Sequence, residues 1–268
     1  MLDTNSLGIQ LKKILLTGSD GQLGRCIQDI SQKYSEFKLF AFNRESLDIT
    51  QLDSVMAKVE KINPDVIVNT AAYTAVDKAE EQTSSASLVN FHGVKNLCVA
   101  ANRLNIPIIH ISTDYVFDGT KDKPYIPSDN VNPLGVYGRT KWQGEEEIRQ
   151  SIRNHIIVRT SWVFSEHGNN FVKSILKVAS VNPTLEVVDD QRGCPTYAGD
   201  LAIAIYSICK AILYCDKDHW GTYHYCGNEE TTWFDFSREI LEKAKSIDII
   251  KTLPQINPIK LSPMIAFS

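Results

Sequence analysis

The feature that most constrains the fold is the regular alternation of short apolar runs with longer amphipathic stretches up to about residue 160. The apolar runs are rich in Ile, Leu and Val and lie at residues 13–17, 38–42, 66–69, 108–112 and 156–160. Each gap between them is long enough for a crossover helix, which is typical of a parallel sheet covered on both faces. The sequence therefore predicts an α/β fold with a doubly wound, Rossmann-like parallel sheet.

After residue 160 the alternation of apolar runs and amphipathic stretches becomes less regular. A helix is predicted over 171–179, a strand over 185–188, an apolar helix from residue 200, a strand over 222–226 and a helix from residue 232. We interpret this part as a smaller C-terminal α/β lobe laid against the sheet. The predicted division is a Rossmann domain over 12–160 and a second lobe over 161–268. The two interleave, because no long linker separates them.

A glycine-rich loop follows the first predicted strand directly. It reads Gly18-Ser19-Asp20-Gly21-Gln22-Leu23-Gly24, and a predicted helix follows it. Glycines at such a loop let the backbone turn tightly and approach a pyrophosphate, while the helix N-terminus offers free amides to the anion. The spacing is one residue longer than the common dinucleotide fingerprint, and three glycines can also form a plain turn. The strand before and the helix after favour a dinucleotide site.

The tip of the second predicted strand bears on which dinucleotide binds. An acidic residue about 20 positions after the glycines would hold the adenosine ribose hydroxyls, but Asn43 and Arg44 stand at this tip. A guanidinium pairs with a 2′-phosphate that a carboxylate repels. The sequence therefore predicts NADPH as the cofactor, with NADH possible. The alternative is that Arg44 is a solvated loop residue.

A tyrosine and a lysine four residues apart are the candidate acid-base pair. Tyr137 and Lys141 fall on one face of a predicted helix, and a neighbouring cation favours the phenolate form of a tyrosine. Such a pair is common on helix surfaces. Thr113 favours a catalytic role for Tyr137 and Lys141. It lies at the carboxyl end of the fourth strand, where open α/β sheets bind ligands, and it can hydrogen-bond a substrate oxygen.

Composition excludes several other classes. The formal net charge of −4 leaves no broad basic field for a nucleic acid, and no apolar run reaches the length of a membrane span. No secretory signal precedes the first strand. The six cysteines and six histidines show no metal-ligand spacing. We therefore expect a reduced, cytoplasmic protein without a catalytic metal, a nucleic-acid partner or a membrane partner.

The glycine loop, Thr113 and the Tyr137/Lys141 pair resemble those of the extended short-chain dehydrogenase/reductase family. The segments 66–80, 112–117, 159–164, 168–171 and 190–196 are similar to its dTDP-4-dehydrorhamnose reductase branch, and the resemblance runs from about residue 12 almost to the end. It implies NADPH-dependent reduction of the C4 ketone of dTDP-4-dehydro-L-rhamnose to dTDP-L-rhamnose, an activated sugar of lipopolysaccharide or O-antigen biosynthesis. Residues 12–160 would then bind NADP(H), and residues 161–268 the sugar nucleotide.

The resemblance also implies roles for individual residues. Tyr137 would donate the proton, Lys141 would lower the pKa of Tyr137 and hold the nicotinamide ribose, and Thr113 would orient the ketone. Asp114 and Trp162 match positions that contact the sugar nucleotide. On the cofactor side, the positions of the family's phosphate loop are matched by Gly18, Gly21, Gln22, Leu23 and Gly24. The positions near the adenine are matched by Asp48 and Ile49, and those near the nicotinamide by Ala71, Ala72, Tyr73, Thr74 and Ile111.

Two departures and two alternatives stay open. Some members of the branch dimerise around a divalent cation bound by a glutamate, but Cys26 stands near that position, so we expect a monomer or a weak homodimer. Members usually extend further than residue 268, which leaves a truncated sugar lobe possible. A related dTDP-sugar of the dihydrostreptose type is an alternative substrate. A noncatalytic NADP-binding regulatory subunit, like that of methionine adenosyltransferase, is an alternative function, which the presence of Thr113, Tyr137 and Lys141 disfavours.

Overall fold

A six-stranded parallel sheet forms the centre of the molecule. The computed structural model describes residues 11–215 and 219–260. The strands of this sheet are β1 (Lys12–Thr17), β2 (Phe37–Phe42), β3 (Val66–Asn69), β4 (Ile108–Thr113), β5 (His155–Thr160) and β10 (Gly221–His224). They lie in the order β10-β5-β4-β3-β1-β2, and every neighbouring pair is parallel. The predicted doubly wound α/β fold is confirmed.

Helices connect these strands, and short strands complete the C-terminal part. The helices are α1 (Gln22–Asp29), α2 (Leu52–Ile62), α3 (Val76–Glu81), α4 (Thr83–Ser87), α5 (Val94–Arg103), α6 (Val136–Ser151), α7 (Phe171–Ala179), α8 (Ala198–Tyr214) and α9 (Trp233–Ser246). A π-helical turn, Leu88–Gly93, joins α4 to α5. The remaining strands are β6 (Val163–Phe164), β7 (Thr184–Val188), β8 (Arg192–Gly193), β9 (Thr196–Tyr197), β11 (Thr231–Thr232) and β12 (Gln255–Ile259). They pair as β7/β12, β6/β9 and β8/β11.

Two apolar clusters cover the two faces of the large sheet. Side chains alternate along each strand, so Leu16 and Val68 enter the cluster beneath α1 and α8. Leu15 and Ile67 enter the opposite cluster, beneath α2 and α5. Burial on both faces explains why these strands read as continuous apolar runs in the sequence.

Two segments beyond residue 160 belong to the large sheet. Helix α8 packs against α1, and β10 pairs with β5. The strand expected over 222–226 is thus β10, which begins at Gly221, ends at His224 and extends the main sheet. Its assignment to the smaller lobe was wrong, because an apolar run does not reveal which sheet it joins.

A separate apolar cluster forms from α7, β7, α9 and β12, around buried Leu185 and Leu241. The division of the chain into two domains at residue 160 stays a prediction. Although α8 and β10 follow residue 160, they belong with the large sheet. Residues 261–268, on which the predicted truncation bears, lie outside the described part of the chain. Within 11–215 and 219–260, no helix combines the length and apolar character that crossing a bilayer requires.

Candidate active site

A cleft of about 730 Å³ opens at the carboxyl ends of the strands of the large sheet. In a doubly wound sheet this edge is where ligands bind. The structure brings every residue that the sequence proposed for the site to this one cleft, namely Gly18, Gly21, Gln22, Leu23, Gly24, Arg44, Asp48, Ile49, Ala71, Ala72, Tyr73, Thr74, Ile111, Thr113, Asp114, Tyr137, Lys141 and Trp162. Their individual roles remain predictions.

The glycine loop has the geometry of a phosphate-binding turn. Gly18 has φ +70°, and a Cβ there would lie 2.5 Å from the backbone nitrogen of Ala71. A Cβ on Gly24 would lie 2.4 Å from the Gly18 carbonyl oxygen. Helix α1 begins after Gly21 without a side-chain cap, so its first amides are available to an anion. These residues fit the pyrophosphate of a dinucleotide.

Arg44 lines the same cleft, just after the carboxyl end of β2. Its side chain is 81% exposed, and its Nε is 3.8 Å from Oδ2 of Asp48. Neighbouring Asn43 donates a hydrogen bond to Asp20 at 2.8 Å. The Ile49 side chain is buried against Gly93, where a Cβ would come within 2.7 Å of it. The guanidinium is therefore free to meet a ligand phosphate.

Helix α6 and strand β4 position the candidate catalytic side chains. Tyr137 and Lys141 lie one turn apart on α6, and the Thr113 side chain at the end of β4 lines the same part of the cleft as Tyr137. The first amide of α6, that of Val136, donates to Glu80 Oε1 at 2.6 Å. Burial is the largest influence on Tyr137 and raises its pKa; the Thr113 side chain lowers this pKa, and the nearby Asp114 charge raises it. The phenol therefore keeps its proton at neutral pH.

The Lys141 amine contacts strand β4, and its predicted effect on the pKa of Tyr137 stays a prediction. Lys141 Nζ donates to the Ile111 carbonyl at 2.7 Å and lies 3.3 Å from His110 Nε2. Burial lowers the pKa of Lys141 to about 8, against the opposing effect of Glu145. At Tyr137 burial is the largest influence, and it raises the pKa of the phenol.

The two residues predicted to contact the sugar nucleotide, Asp114 and Trp162, have well-defined surroundings. Burial raises the pKa of Asp114 to about 6, and its carboxylate accepts a hydrogen bond from Thr113 at 3.0 Å. Trp162 adopts φ +49° and stacks on Trp233 with ring centroids 3.4 Å apart. A Cβ on Gly193 would lie 2.4 Å from the Trp162 ring, so the glycine lets the indole pack closely.

Sequence reasoning missed several residues of the site. Asp20, Thr70, Tyr115 and Ser161 also line the cleft. Tyr115 lies inside the segment 112–117, and its ring meets that of Tyr137 edge-on at 5.5 Å. Behind the cleft lie buried Asn69, His110 and Glu145. Glu145 could have been found, because it lies one further helical turn beyond Lys141.

A second group of side chains had no sequence signal. Ligand atoms of Cys26, Glu166 and His167 lie within 4.8 Å of one another, and His167 Nε2 is 2.6 Å from Asp29. These residues come from α1 and from the segment before α7. Metal-ligand spacing cannot reveal a cluster whose members are so far apart in the chain.

The parallel sheet, the glycine loop and the Thr113, Tyr137, Lys141 set together define an enzyme class. They are the features of a Rossmann-type reductase of the extended short-chain dehydrogenase/reductase class. A UDP-glucose 4-epimerase from Brucella ovis has the same fold at a TM-score of 0.78, with 16% identity, over 94% of this chain and 87% of its own.

Closer relatives identify the family. The model of the RmlD substrate binding domain matches residues 12–265. The chain is 41% identical to the dTDP-4-dehydrorhamnose reductase of Aggregatibacter actinomycetemcomitans over 93% of its length and 85% of the relative, and 38% identical to that of Escherichia coli K12 over 92% and 83%. The dTDP-4-dehydrorhamnose reductase of Bacillus anthracis, solved in complex with NADP, superposes with a TM-score of 0.85 at 33% identity, over 94% and 85% of the two chains. The chain belongs to the dTDP-4-dehydrorhamnose reductase family.

Proposed function

We propose that this protein reduces the C4 ketone of dTDP-4-dehydro-L-rhamnose to dTDP-L-rhamnose with NADPH. The observation that carries the proposal is the convergence of Thr113, Tyr137 and Lys141 in the cleft that contains the glycine loop. The substrate is supported by relatives that are dTDP-4-dehydrorhamnose reductases over more than nine tenths of this chain. The cofactor is supported by the NADP complex of the Bacillus anthracis relative.

The residues of the cleft have different roles in the proposed reaction, according to their chemistry. NADPH supplies a hydride when bound. Tyr137, whose phenol is protonated because burial raises its pKa, donates the proton to the ketone oxygen. Thr113 orients that oxygen. The amides at the start of α1 hold the pyrophosphate, which fixes the reacting groups in place.

The Tyr137→Phe substitution tests the proton-transfer role. We expect turnover to fall by about 10²–10⁴-fold, because the variant lacks the proton donor, while NADPH binding changes by no more than a few-fold. Steady-state rates and a fluorescence titration of NADPH measure the two effects. Tyr214→Phe is the matched control, since its hydroxyl lies near the Glu36 carbonyl, outside the cleft. Near-normal turnover of Tyr137→Phe would remove this residue from proton transfer.

One relative supports a second candidate substrate. A dTDP-4-keto-6-deoxy-D-glucose reductase from Streptomyces niveus is 38% identical over 84% of this chain and 76% of its own. An assay of NADPH and NADH oxidation with both 4-keto sugars decides between them. Faster turnover of dTDP-4-dehydrorhamnose supports the proposal, and faster turnover of the other sugar reassigns the substrate. NADPH binding without turnover of either sugar would instead favour a noncatalytic binding subunit.

We further propose a cytoplasmic protein that is a monomer or a weak homodimer. All six cysteines are unpaired, which suits a reducing compartment. The net charge of −4 offers no broad attraction for nucleic acid. Light scattering at several protein concentrations, with and without EDTA, tests the oligomeric state. A dimer that dissociates only with EDTA would contradict the expectation of a dimer that needs no metal.

A further inference from the structure

A chain of buried polar contacts runs behind the cleft and ends at Lys141. The Ala71 amide donates to Asn69 Oδ1 at 3.1 Å. Asn69 Nδ2 lies 2.9 Å from His110 Nδ1, and His110 Nε2 lies 3.3 Å from Lys141 Nζ. Asn69, His110 and Lys141 are each at most 2% exposed. Water is therefore excluded from most of these groups, and each must find its hydrogen-bond partner in the protein.

The orientation of the Asn69 amide follows from its neighbours. A backbone N–H can only donate, so the Asn69 atom that faces the Ala71 amide is the carbonyl oxygen. The Thr17 hydroxyl donates to the same oxygen at 2.6 Å. The NH₂ group of Asn69 then faces His110 and donates to Nδ1. A nitrogen that accepts a hydrogen bond carries no proton, so a neutral His110 carries its proton on Nε2.

This tautomer directs an N–H at the Lys141 amine. An ammonium has three donors and no acceptor, so it would place an N–H against an N–H. A neutral amine accepts from His110 through its lone pair, donates one N–H to the Ile111 carbonyl at 2.7 Å, and keeps one N–H for the cleft. We propose that Asn69 and His110 are positioning residues that fix this tautomer and thereby destabilise the ammonium form of Lys141.

The surrounding charges agree with this arrangement. Burial is the largest cause that places the pKa of His110 well below its ordinary value, the Arg149 charge acts in the same direction, and a charged Lys141 would lower this pKa further, so the imidazole is neutral. Burial likewise lowers the pKa of Lys141, and Glu145 raises it. Among the described residues, the charges that act on His110 are those of Lys141 and Arg149 on α6, and the charge that acts on Lys141 is that of Glu145 on the same helix. Because Glu145 is engaged by Arg159 at 2.7 Å, its charge is largely compensated.

The role of this arrangement in catalysis rests on the proposed function, whereas the tautomer of His110 and the titration of Lys141 do not. Lys141 would change its protonation within reach of physiological pH, where an ordinary lysine stays charged. The arrival of anionic cofactor phosphates would favour the ammonium. The charge that stabilises the Tyr137 phenolate would then form mainly after the cofactor has bound.

Nuclear magnetic resonance of the protein without cofactor tests the inference directly. Imidazole ¹⁵N shifts report which His110 nitrogen carries the proton, and ¹³Cε shifts of labelled lysine, assigned with Lys141→Arg, report the Lys141 titration. We expect the Nε2–H tautomer and a Lys141 pKa at least about one unit below that of free lysine. The Nδ1–H tautomer or an ordinary lysine titration would overturn the inference, and neither result depends on substrate turnover.

The Asn69→Asp substitution should reverse the tautomer. A carboxylate still accepts from Ala71 and Thr17, but it also accepts from His110, so the imidazole proton moves to Nδ1 and Nε2 becomes an acceptor for the ammonium. We expect the Lys141 pKa to rise by about one unit or more. His110→Gln, which adds no charge and can turn its carbonyl to Lys141, should also raise it. An unchanged Lys141 pKa in both variants would contradict the proposal.

Two controls separate the tautomer from the added charge. Asn182→Asp adds the same charge at an exposed position near the end of α7 and should leave the Lys141 pKa unchanged. In a His110→Phe background, Asn69→Asp should lose most of its effect if the tautomer carries it. A rise of equal size with and without the imidazole would show that the charge acts alone, and would overturn the role of His110.

Discussion

Arg44 is held by few contacts, although it lies where the sequence places a phosphate-binding cation. Its side chain is 81% exposed, and the Asp48 carboxylate lies 3.8 Å away. An exposed pair of this kind contributes at most about 1 kcal/mol to stability. Any large effect of removing Arg44 must therefore appear in ligand binding.

For Arg44→Ala we expect NADPH affinity to fall about 10-fold or more, because a guanidinium–phosphate contact is a charge-assisted hydrogen bond. NADH affinity should change by less than about 2-fold. Parallel fluorescence titrations with the two cofactors measure the difference. The control is Arg103→Ala, whose guanidinium pairs with Glu60 on the surface. Equal losses for NADPH and NADH would reject the 2′-phosphate assignment.

At the scale of the element, the turn between β1 and α1 depends on the close approach of two backbone segments. Gly18 combines φ +70° with the contact to Ala71 that a Cβ would violate. Gly119 has a similar φ of +72°, but nothing lies within 4 Å of a Cβ placed there. Comparing an alanine substitution at each of the two glycines therefore distinguishes the cost of backbone strain from the cost of steric overlap.

We expect Gly119→Ala to cost about 1 kcal/mol of unfolding free energy, the ordinary cost of a left-handed alanine. Gly18→Ala should cost at least about 2 kcal/mol, because the loop or the Ala71 segment must also move. It should weaken cofactor binding as well, whereas Gly119→Ala should not. Urea denaturation and NADPH titration measure both effects. Equal losses of stability would show that the approach to Ala71 costs little.

The buried acid at Glu145 joins α6 to the large sheet. It accepts hydrogen bonds from Arg159 on β5 and Arg149, each at 2.7 Å, and from Ser112 on β4. Burial alone would raise the pKa of Glu145, but the hydrogen bonds and charge of Arg159 outweigh it and hold the pKa below its ordinary value. Arg149 also donates to Thr222 on β10. This network fixes the helix that carries Tyr137 and Lys141.

At the scale of the whole molecule, Glu145→Gln should lower the unfolding free energy by about 3–5 kcal/mol, because it leaves buried Arg159 without its counter-charge. Turnover should fall as α6 loses its anchor. The matched variant Glu230→Gln breaks an exposed pair with Arg192 and should cost less than about 1 kcal/mol. Thermal and urea unfolding compare the two. Similar costs for both would show that the Glu145 network does not hold the molecule together.

Most of the large sheet was predictable, because strands buried on both faces must be apolar along their whole length. The five strands predicted before residue 160 are found within one residue of the expected bounds. Strand β10 was placed in the wrong lobe, since its partner β5 lies more than 60 residues earlier in the chain. Much of the lining of the cleft was predictable from motifs, whereas Asn69 and His110 belong to strands whose apolar character gave no sign of a role for these two side chains.

The sequence by itself determined the class of fold, the glycine turn and the spacing of Tyr137 and Lys141, because each of these depends on neighbours along the chain. Tertiary structure alone decided which atoms Lys141 contacts and how deeply it is buried, and this burial lowers the Lys141 pKa. It also decided that Glu145 meets Arg159 and that β10 pairs with β5 at one edge of the large sheet. Such properties depend on burial and on hydrogen bonds between distant segments, and these arise only when the strands and helices pack together.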